Sequence, residues 1–176
     1  INRDPLLKLC KVVDAANIDL KSMDDNIYLK LNAGKLEPVL NTLRTLKDNG
    51  VWLEITNLVV PSWTDDLDMI GRMCGWLAQN GFDDTPLHFS RFHPQYKLQR
   101  LPATPLKTLE AAKNIALSEG LKFVYVGNVP GTRDANTHCP NCHELLVERA
   151  GYAIKTQKIV NGNCPSCSEA IAGHWN

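Results

Sequence analysis

Val51–Pro61 reads V-W-L-E-I-T-N-L-V-V-P, and this stretch decides the fold. β-Branched and apolar residues fill most of positions 51–60 and Pro61 closes the run, which predicts a β-strand over Val51–Val60. The segment before it carries apolar residues at helical spacing: Leu36, Val39, Leu40, Leu43 and Leu46. They predict an amphipathic helix that ends at Asn49-Gly50. A helix therefore leads directly into a strand.

The same alternation of helix and strand extends in both directions along the chain. Further strands are predicted over Ala16–Lys21, Leu87–Phe92 and Leu121–Val126. Tyr28–Gly34 is predicted to be a connection without regular structure. A first helix is predicted from apolar residues at helical spacing: Leu6, Leu7, Cys10 and Val13.

Two threonines predict the starts of later helices. Thr64 is expected to cap one helix, with Asp65 and Asp66 in its first turn, where the helix dipole favours acidic groups. Thr104 is expected to cap the next helix, with Pro105 at its first position.

Strands that alternate with helices indicate right-handed crossovers and a parallel sheet. Four such strands are too few to close an eight-stranded barrel. We predict an α/β fold: a partial, incomplete βα TIM-like barrel over residues 1–128, a linker over 129–137, and a zinc-ribbon-like hairpin over 138–176. The hairpin strands are predicted at Glu144–Arg149 and Tyr152–Ile159, around Gly151.

Composition narrows the range of partners. The chain has 19 Lys plus Arg and 19 Asp plus Glu, so no net charge attracts it to nucleic acid or to a membrane surface. No apolar run approaches the roughly 20 residues that span a bilayer, and no secretory signal opens the sequence. We expect a cytoplasmic protein. Because it starts at Ile1 rather than Met, we also expect a piece of a longer one.

The strongest motif is a pair of C-P-x-C sequences separated by 21 residues. Cys139 and Cys142 form the first pair, and Cys164 and Cys167 form the second. Two tight turns that each offer two sulfurs can build a tetrahedral thiolate site. The segment has few apolar residues, so the metal is expected to supply much of its folding energy.

The role of this four-cysteine site stays open at the sequence level. A closed structural zinc site is one interpretation. The second is a protein-interaction module without catalysis, and the third is an electron-transfer iron of rubredoxin type. His138 and His143 flank the first pair, but four thiolates already complete the coordination shell.

Polar residues also lie where the predicted strands end. Alternation puts Asp19 and Lys21 on one face of their strand, near the carboxyl end, where βα folds place ligand sites. The alternative is an exposed salt bridge on an edge strand. His93 begins the loop after the Leu87–Phe92 strand.

Several other polar residues are weaker candidates. Glu54 and Thr56 share one face of their strand, and a buried carboxylate at that position would need a partner or a raised pKa. The strand before His93 adds three more: His88, Ser90 and Arg91. The isolated cysteines, Cys10 and Cys74, lie among apolar neighbours and are expected to fill the core.

These residues carry a resemblance to a known family. Ile18–Asp24 (I-D-L-K-S-M-D) resembles the fourth-strand motif of radical SAM activating enzymes of the pyruvate formate-lyase type. Val51–Thr56 and Val59–Asp66 are similar to the next strand and loop. The combination of further motifs is most similar to the AmmeMemoRadiSam-system branch: His88–Pro94, Pro102–Pro105, Val124–Gly131 and the C-P-x-C pairs.

The resemblance implies a partial βα-barrel that binds S-adenosylmethionine across its strand ends. In this family a [4Fe-4S] cluster cleaves the cofactor reductively to a 5′-deoxyadenosyl radical, which abstracts hydrogen from a glycine of a partner enzyme. By motif match, Asp19 and Lys21 would contact the methionine moiety and His93 would help to seat the cofactor. The implied partners are a glycyl radical enzyme or another protein substrate, and an electron donor such as flavodoxin or ferredoxin.

The sequence also departs from the family pattern. It lacks the cluster-binding C-x3-C-x2-C motif and the Gly-Gly-Glu segment, and it has Glu54 where the pyruvate formate-lyase type has arginine. We therefore expect no catalytic residue in this fragment and no activity from it alone, although its parent protein would be an enzyme. The open edge at Ala16–Lys21 is expected to cause dimerisation or aggregation.

Overall fold

The computed structural model describes residues 1–175. Its first part alternates helix and strand in this order: α1 Arg3–Leu9, β1 Ala15–Asp19, α2 Asp25–Asn32, α3 Leu36–Asp48, β2 Trp52–Val59, α4 Leu67–Gln79, β3 Leu87–Arg91, α5 Leu106–Ser118 and β4 Val124–Gly127. Three short strands follow: β5 Thr137–His138, β6 Leu145–Ala150 and β7 Ala153–Gln157.

Strands β1 to β4 form one parallel sheet in the order of the sequence. Ile18 lies opposite Ile55, and Thr56 lies opposite His88. Within residues 1–175, β1 and β4 pair on one side each, so the sheet is open at both edges. The predicted α/β class with a parallel sheet is confirmed, whereas closure into a barrel is not shown.

The two faces of the sheet differ in polarity because side chains alternate along each strand. One face is covered by helices and forms the main core, to which β2 contributes Leu53, Ile55 and Val59. The other face carries Glu54 and Thr56, which are half-buried.

One predicted connection is a helix. The prediction for Tyr28–Gly34 is wrong, because α2 spans Asp25–Asn32. The Asp24 carboxylate caps it by accepting hydrogen bonds from the backbone N–H groups of Asn26 and Ile27. Tyr28 is the one buried residue of this helix, so the apolar periodicity that marks a helix in sequence is nearly absent.

Both predicted threonine caps are also wrong. Asp66, not Thr64, caps α4 by accepting from the N–H of Met69, and Pro105 precedes the first residue of α5. The two threonine hydroxyls instead bind the ends of strands: Thr64 Oγ1 donates to the carbonyl of Leu58. Sequence pattern cannot distinguish these roles, since both require a hydroxyl near a chain turn.

Strands β5, β6 and β7 form a small antiparallel sheet. The two predicted hairpin strands are confirmed as β6 and β7, and β5 is an addition to the prediction. The predicted linker 129–137 contains a single 3₁₀ turn, Arg133–Ala135, and Lys113 binds Asp134 across a 2.6 Å salt bridge. Its last residue, Thr137, already belongs to β5.

The metal ribbon, as we call residues 137–175, packs on the first part of the chain through a second apolar core. Phe123, which precedes β4, belongs to this core together with residues of the ribbon: Cys139, Leu146, Val147, Ile159, Cys164 and Ile171. None of the helices in the described part of the chain is long and apolar enough to cross a membrane.

Candidate cofactor and metal sites

Asp19 and Lys21 meet at the carboxyl end of β1. Lys21 Nζ lies 3.0 Å from Asp19 Oδ1, with the two side chains 26% and 57% exposed. Such an exposed pair contributes little to folding. Both charges are available to a ligand from the solvent side.

The backbone beneath this pair is held by two buried groups. Asn57 is fully buried, and its Nδ2 donates to the carbonyls of Leu20 (2.7 Å) and Lys21 (3.2 Å). Tyr28 Oη accepts from the N–H of Lys21 at 3.0 Å, and burial raises the pKa of Tyr28. Tyr28 was missed because α2 was missed; the run Asp24-Asp25-Asn26 was the available signal for its start.

His93 follows β3 and is exposed. Its Nε2 lies 3.2 Å from the carbonyl oxygen of Asn128, just beyond β4. Thr104 fixes the strand end before it, because its buried Oγ1 donates to Val59 O (2.6 Å) and accepts from Phe92 N–H (2.8 Å). The threonine expected to cap a helix therefore ties β2 to β3 next to His93.

The three predicted cofactor residues lie at or just beyond the carboxyl ends of strands in the parallel sheet. Asp19 and Lys21 are in contact, whereas His93 contacts Asn128 instead. Because β2 lies between β1 and β3, the two groups are separated by two strand spacings, about 10 Å. A ligand that touches all three residues must cross the end of β2.

The four predicted metal cysteines come together. The sulfurs of Cys139, Cys142, Cys164 and Cys167 all lie within 4.8 Å of one another. Cys139 and Cys167 are 3.5 Å apart, and Cys142 and Cys164 are 3.6 Å apart. Tetrahedral thiolates at about 2.3 Å from one ion would be separated by about 3.8 Å. The arrangement fits a single metal ion.

Two matching turns present these sulfurs. In the first, the N–H of His143 donates to the carbonyl of Cys139; in the second, Ser168 N–H donates to Cys164. His143 and Ser168 have φ angles of 62° and 62°, in the left-handed region that such turns require. His143 thus has a backbone role, and the four-ligand set contains neither His143 nor His138.

The isolated cysteines do not extend the metal site. Cys74 is fully buried in α4, and its burial raises the pKa of its thiol to about 12. Cys10 follows α1 and packs against the same main core. Both are core residues, as predicted, and neither has a second cysteine near it in the sequence.

A polar cluster lies on the open face of the sheet. His88 Nε2 is 3.2 Å from Glu54 Oε2, at an angle too poor for a good hydrogen bond, and the His88 ring stacks on Tyr125 with centroids 5.1 Å apart. Contact with His88 lowers the pKa of Glu54, and Arg149 contributes to the same shift. Tyr125 and Arg149 were not predicted, since they come from separate strands.

We predict that Glu54→Gln lowers stability by about 0.5 kcal/mol at pH 7 and by less at pH 3. The folded-state pKa of Glu54 is below its ordinary 4.5, so its contribution exists above that value and disappears as pH falls through the lowered one. The magnitude is small because the side chain is 44% exposed.

Urea unfolding of Glu54→Gln at the two pH values measures this difference, with the exposed Glu148→Gln as the matched control. An equal loss of stability at both pH values would show that the Glu54 charge is not responsible.

Fold and sites together define an α/β protein with an open parallel sheet, an ion pair at the carboxyl edge and a four-cysteine metal-binding site. The chain is 47% identical, over 176 residues, to the uncharacterized protein MJ0808 of Methanocaldococcus jannaschii. The match covers 97% of this chain and 51% of that protein. It is a distant homologue of the pyruvate formate-lyase 1-activating enzyme of Escherichia coli, with 28% identity over 133 residues, 69% of this chain and 54% of the relative.

The chain spans about half the length of the curated relatives it matches. Among solved structures, a domain of a pyruvate-formate lyase-activating enzyme from Bacteroides vulgatus has the same fold, with a TM-score of 0.61 over 72% of this chain and 75% of that one. Its sequence identity is 14%. No family model matches the chain.

Proposed function

We propose that this chain is the carboxyl-terminal half of a cytoplasmic radical SAM enzyme. We propose further that S-adenosylmethionine binds at the carboxyl ends of its parallel strands. The Asp19–Lys21 pair at the carboxyl end of a parallel strand carries the proposal, because βα folds bind ligands at that end. Homology to an activating enzyme supports it. In the parent protein, further strands would complete the barrel.

The two charges match the amino-acid end of the cofactor. The Lys21 ammonium binds the methionine carboxylate, and the Asp19 carboxylate accepts hydrogen bonds from the methionine ammonium. Because the ligand brings both charges, it can replace the Asp19–Lys21 contact without leaving either group unpaired. His93, about two strand spacings away, helps to seat the rest of the molecule.

When a [4Fe-4S] cluster is bound beside it, the cofactor supplies a 5′-deoxyadenosyl radical. The cysteines of this chain do not fit that cluster. Cys10 follows α1 and Cys74 lies in α4, and a cubane holds its cysteine sulfurs further apart than the four-cysteine site does. The cluster ligands would therefore come from another part of the parent protein, and this chain alone would be inactive.

We assign zinc to the four-cysteine site, with a structural role, because four thiolates leave no open coordination position. The motifs shared with the AmmeMemoRadiSam-system branch favour that branch. The substrate would be a glycyl radical enzyme or another protein, and the electron donor a flavodoxin or ferredoxin.

The test uses the full-length parent protein, purified anaerobically. Lys21→Met and Asp19→Asn should each weaken S-adenosylmethionine binding about tenfold or more, since each removes one charge-assisted contact. Equilibrium dialysis measures the affinity, and 5′-deoxyadenosine formation measures cleavage. Lys155→Met in exposed β7 is the matched control. Unchanged affinity in both variants, or a parent without a C-x3-C-x2-C cluster, would contradict the proposal.

A further inference from the structure

A cleft of about 1150 Å³ runs between the polar face of the sheet and the metal ribbon. Glu54 and Tyr125 line it from the sheet, Arg91 lines it at the end of β3, and Arg149 and Tyr152 line it from the hairpin. The ribbon is thus one wall of the cleft. Asp19 and Lys21 do not line the cleft, whereas His93, the third predicted cofactor residue, does.

The two arginines keep unused donors. Arg149 Nη1 donates to the carbonyl of Ala135 and to Thr137 Oγ1, both at 2.9 Å. Arg91 Nε donates to the carbonyl of Thr104, also at 2.9 Å. Within residues 1–175, neither guanidinium donates another hydrogen bond. Each is anchored by some of its N–H groups, and the others remain available in fixed positions.

The charges of the cleft do not balance. Within the described residues, Glu54 is the one carboxylate of the lining, and its Oε2 already contacts His88. No carboxylate oxygen of those residues lies within 4.0 Å of Arg91 or Arg149. Arg91 and Arg149 are both half-buried, line one concave site that holds a single carboxylate, and form no salt bridge, so the site suits an oxyanion.

We propose that the cleft binds an oxyanion group of the substrate, a carboxylate or a phosphate, through Arg149 of the ribbon and Arg91 of the sheet. The assignment to a substrate rests on the proposed function, whereas oxyanion binding is a property of this chain by itself. Tyr125 holds one side of the site, because its ring lies 5.7 Å below the Arg149 guanidinium carbon and its hydroxyl is 3.0 Å from Thr137 Oγ1.

It follows that the metal ribbon contributes directly to the binding site. Arg149 reaches the cleft from β6, and its backbone N–H is held by Asn136 Oδ1 at 2.8 Å. The first cysteine turn, Cys139–His143, joins β5 to β6 of the same small sheet. Loss of the metal should therefore remove one of the two cationic contacts, even though no metal ligand lines the cleft.

The test is a titration of the zinc-loaded 176-residue chain with inorganic phosphate and, separately, with succinate, at constant ionic strength. Amide chemical shifts report the location and the apparent Kd. We expect shifts at cleft residues, and about tenfold weaker binding in Arg149→Gln and Arg91→Gln. Comparing the two anions distinguishes a phosphate from a carboxylate group. Arg72→Gln, at an exposed position of α4, is the control and should bind as the wild type does.

Glu54→Gln provides a second test, because misfolding would weaken anion binding and could not strengthen it. Removing the one carboxylate of the cleft should tighten phosphate binding about two- to fivefold, because it removes a repulsive charge. Absence of shifts at cleft residues with both anions, equal weakening in all three arginine variants, or no gain in Glu54→Gln would overturn the proposal. Oxyanion binding without S-adenosylmethionine binding in the parent would instead contradict the radical SAM assignment alone.

Discussion

Cys164→Ser is expected to abolish metal binding and to unfold the ribbon while the parallel sheet stays folded. Cys164 is buried and belongs to the four-sulfur cluster. The ribbon core contains few apolar side chains, and a structural zinc site contributes an apparent binding energy of roughly 10–16 kcal/mol. Losing one of four thiolates removes most of that energy. The free energy needed to hold β5, β6 and β7 together would then be missing.

Metal analysis and amide hydrogen exchange measure this outcome. The wild-type protein should hold about one zinc per chain and protect β6 from exchange, and Cys164→Ser should do neither. Cys10→Ser, outside the metal site, is the control and should retain zinc. A variant that still binds one ion would contradict the site, and a red iron-thiolate spectrum in the wild type would favour the rubredoxin-type alternative over zinc.

Asn57→Ala is expected to lower the free energy of unfolding by about 3 kcal/mol. It removes the donor from the carbonyls of Leu20 and Lys21 in a fully buried position, where an orphaned polar group costs about 1–3 kcal/mol. It also leaves a small cavity. Loss of the unpartnered Asn57 Oδ1 offsets part of this cost. The change should also release the backbone that positions Lys21.

Urea unfolding measures the loss of stability, and hydrogen exchange at the N–H of Lys21 measures the release of its backbone. Asn17→Ala is the matched control because Asn17 lies on the neighbouring strand but is exposed, and we expect an effect below about 1 kcal/mol. If both variants were equally stable, Asn57 would not hold the end of β1.

Local pattern was enough wherever one type of periodicity dominated. The alternating stretch around Ile55 predicted β2, and the heptad-like run ending at Leu46 predicted α3, because a buried face repeats with the period of its own backbone. The C-P-x-C spacing predicted the metal site, since the turn that brings two thiolates to one ion is local. Helix α2 was missed because Tyr28 is its one buried residue, so no buried face repeats along it.

The candidate sites were predictable only in part. Strand alternation placed Asp19 and Lys21 on one face, and the structure has them 3.0 Å apart. It could not show that Asn57 and Tyr28 hold the backbone beneath them, because those contacts cross 36 and 7 positions of the chain. Their role in binding a cofactor remains a prediction.

The sequence alone determined the parallel α/β arrangement of strands and helices and the four thiolates of the metal site. Both follow from the period of apolar residues and from the short spacing between paired cysteines. Only the tertiary structure decided that the ribbon forms a wall of the cleft and that Arg149 joins Arg91 there. Such a meeting depends on how two separate sheets pack through Phe123 and its neighbours, and packing between distant segments has no signature in local sequence.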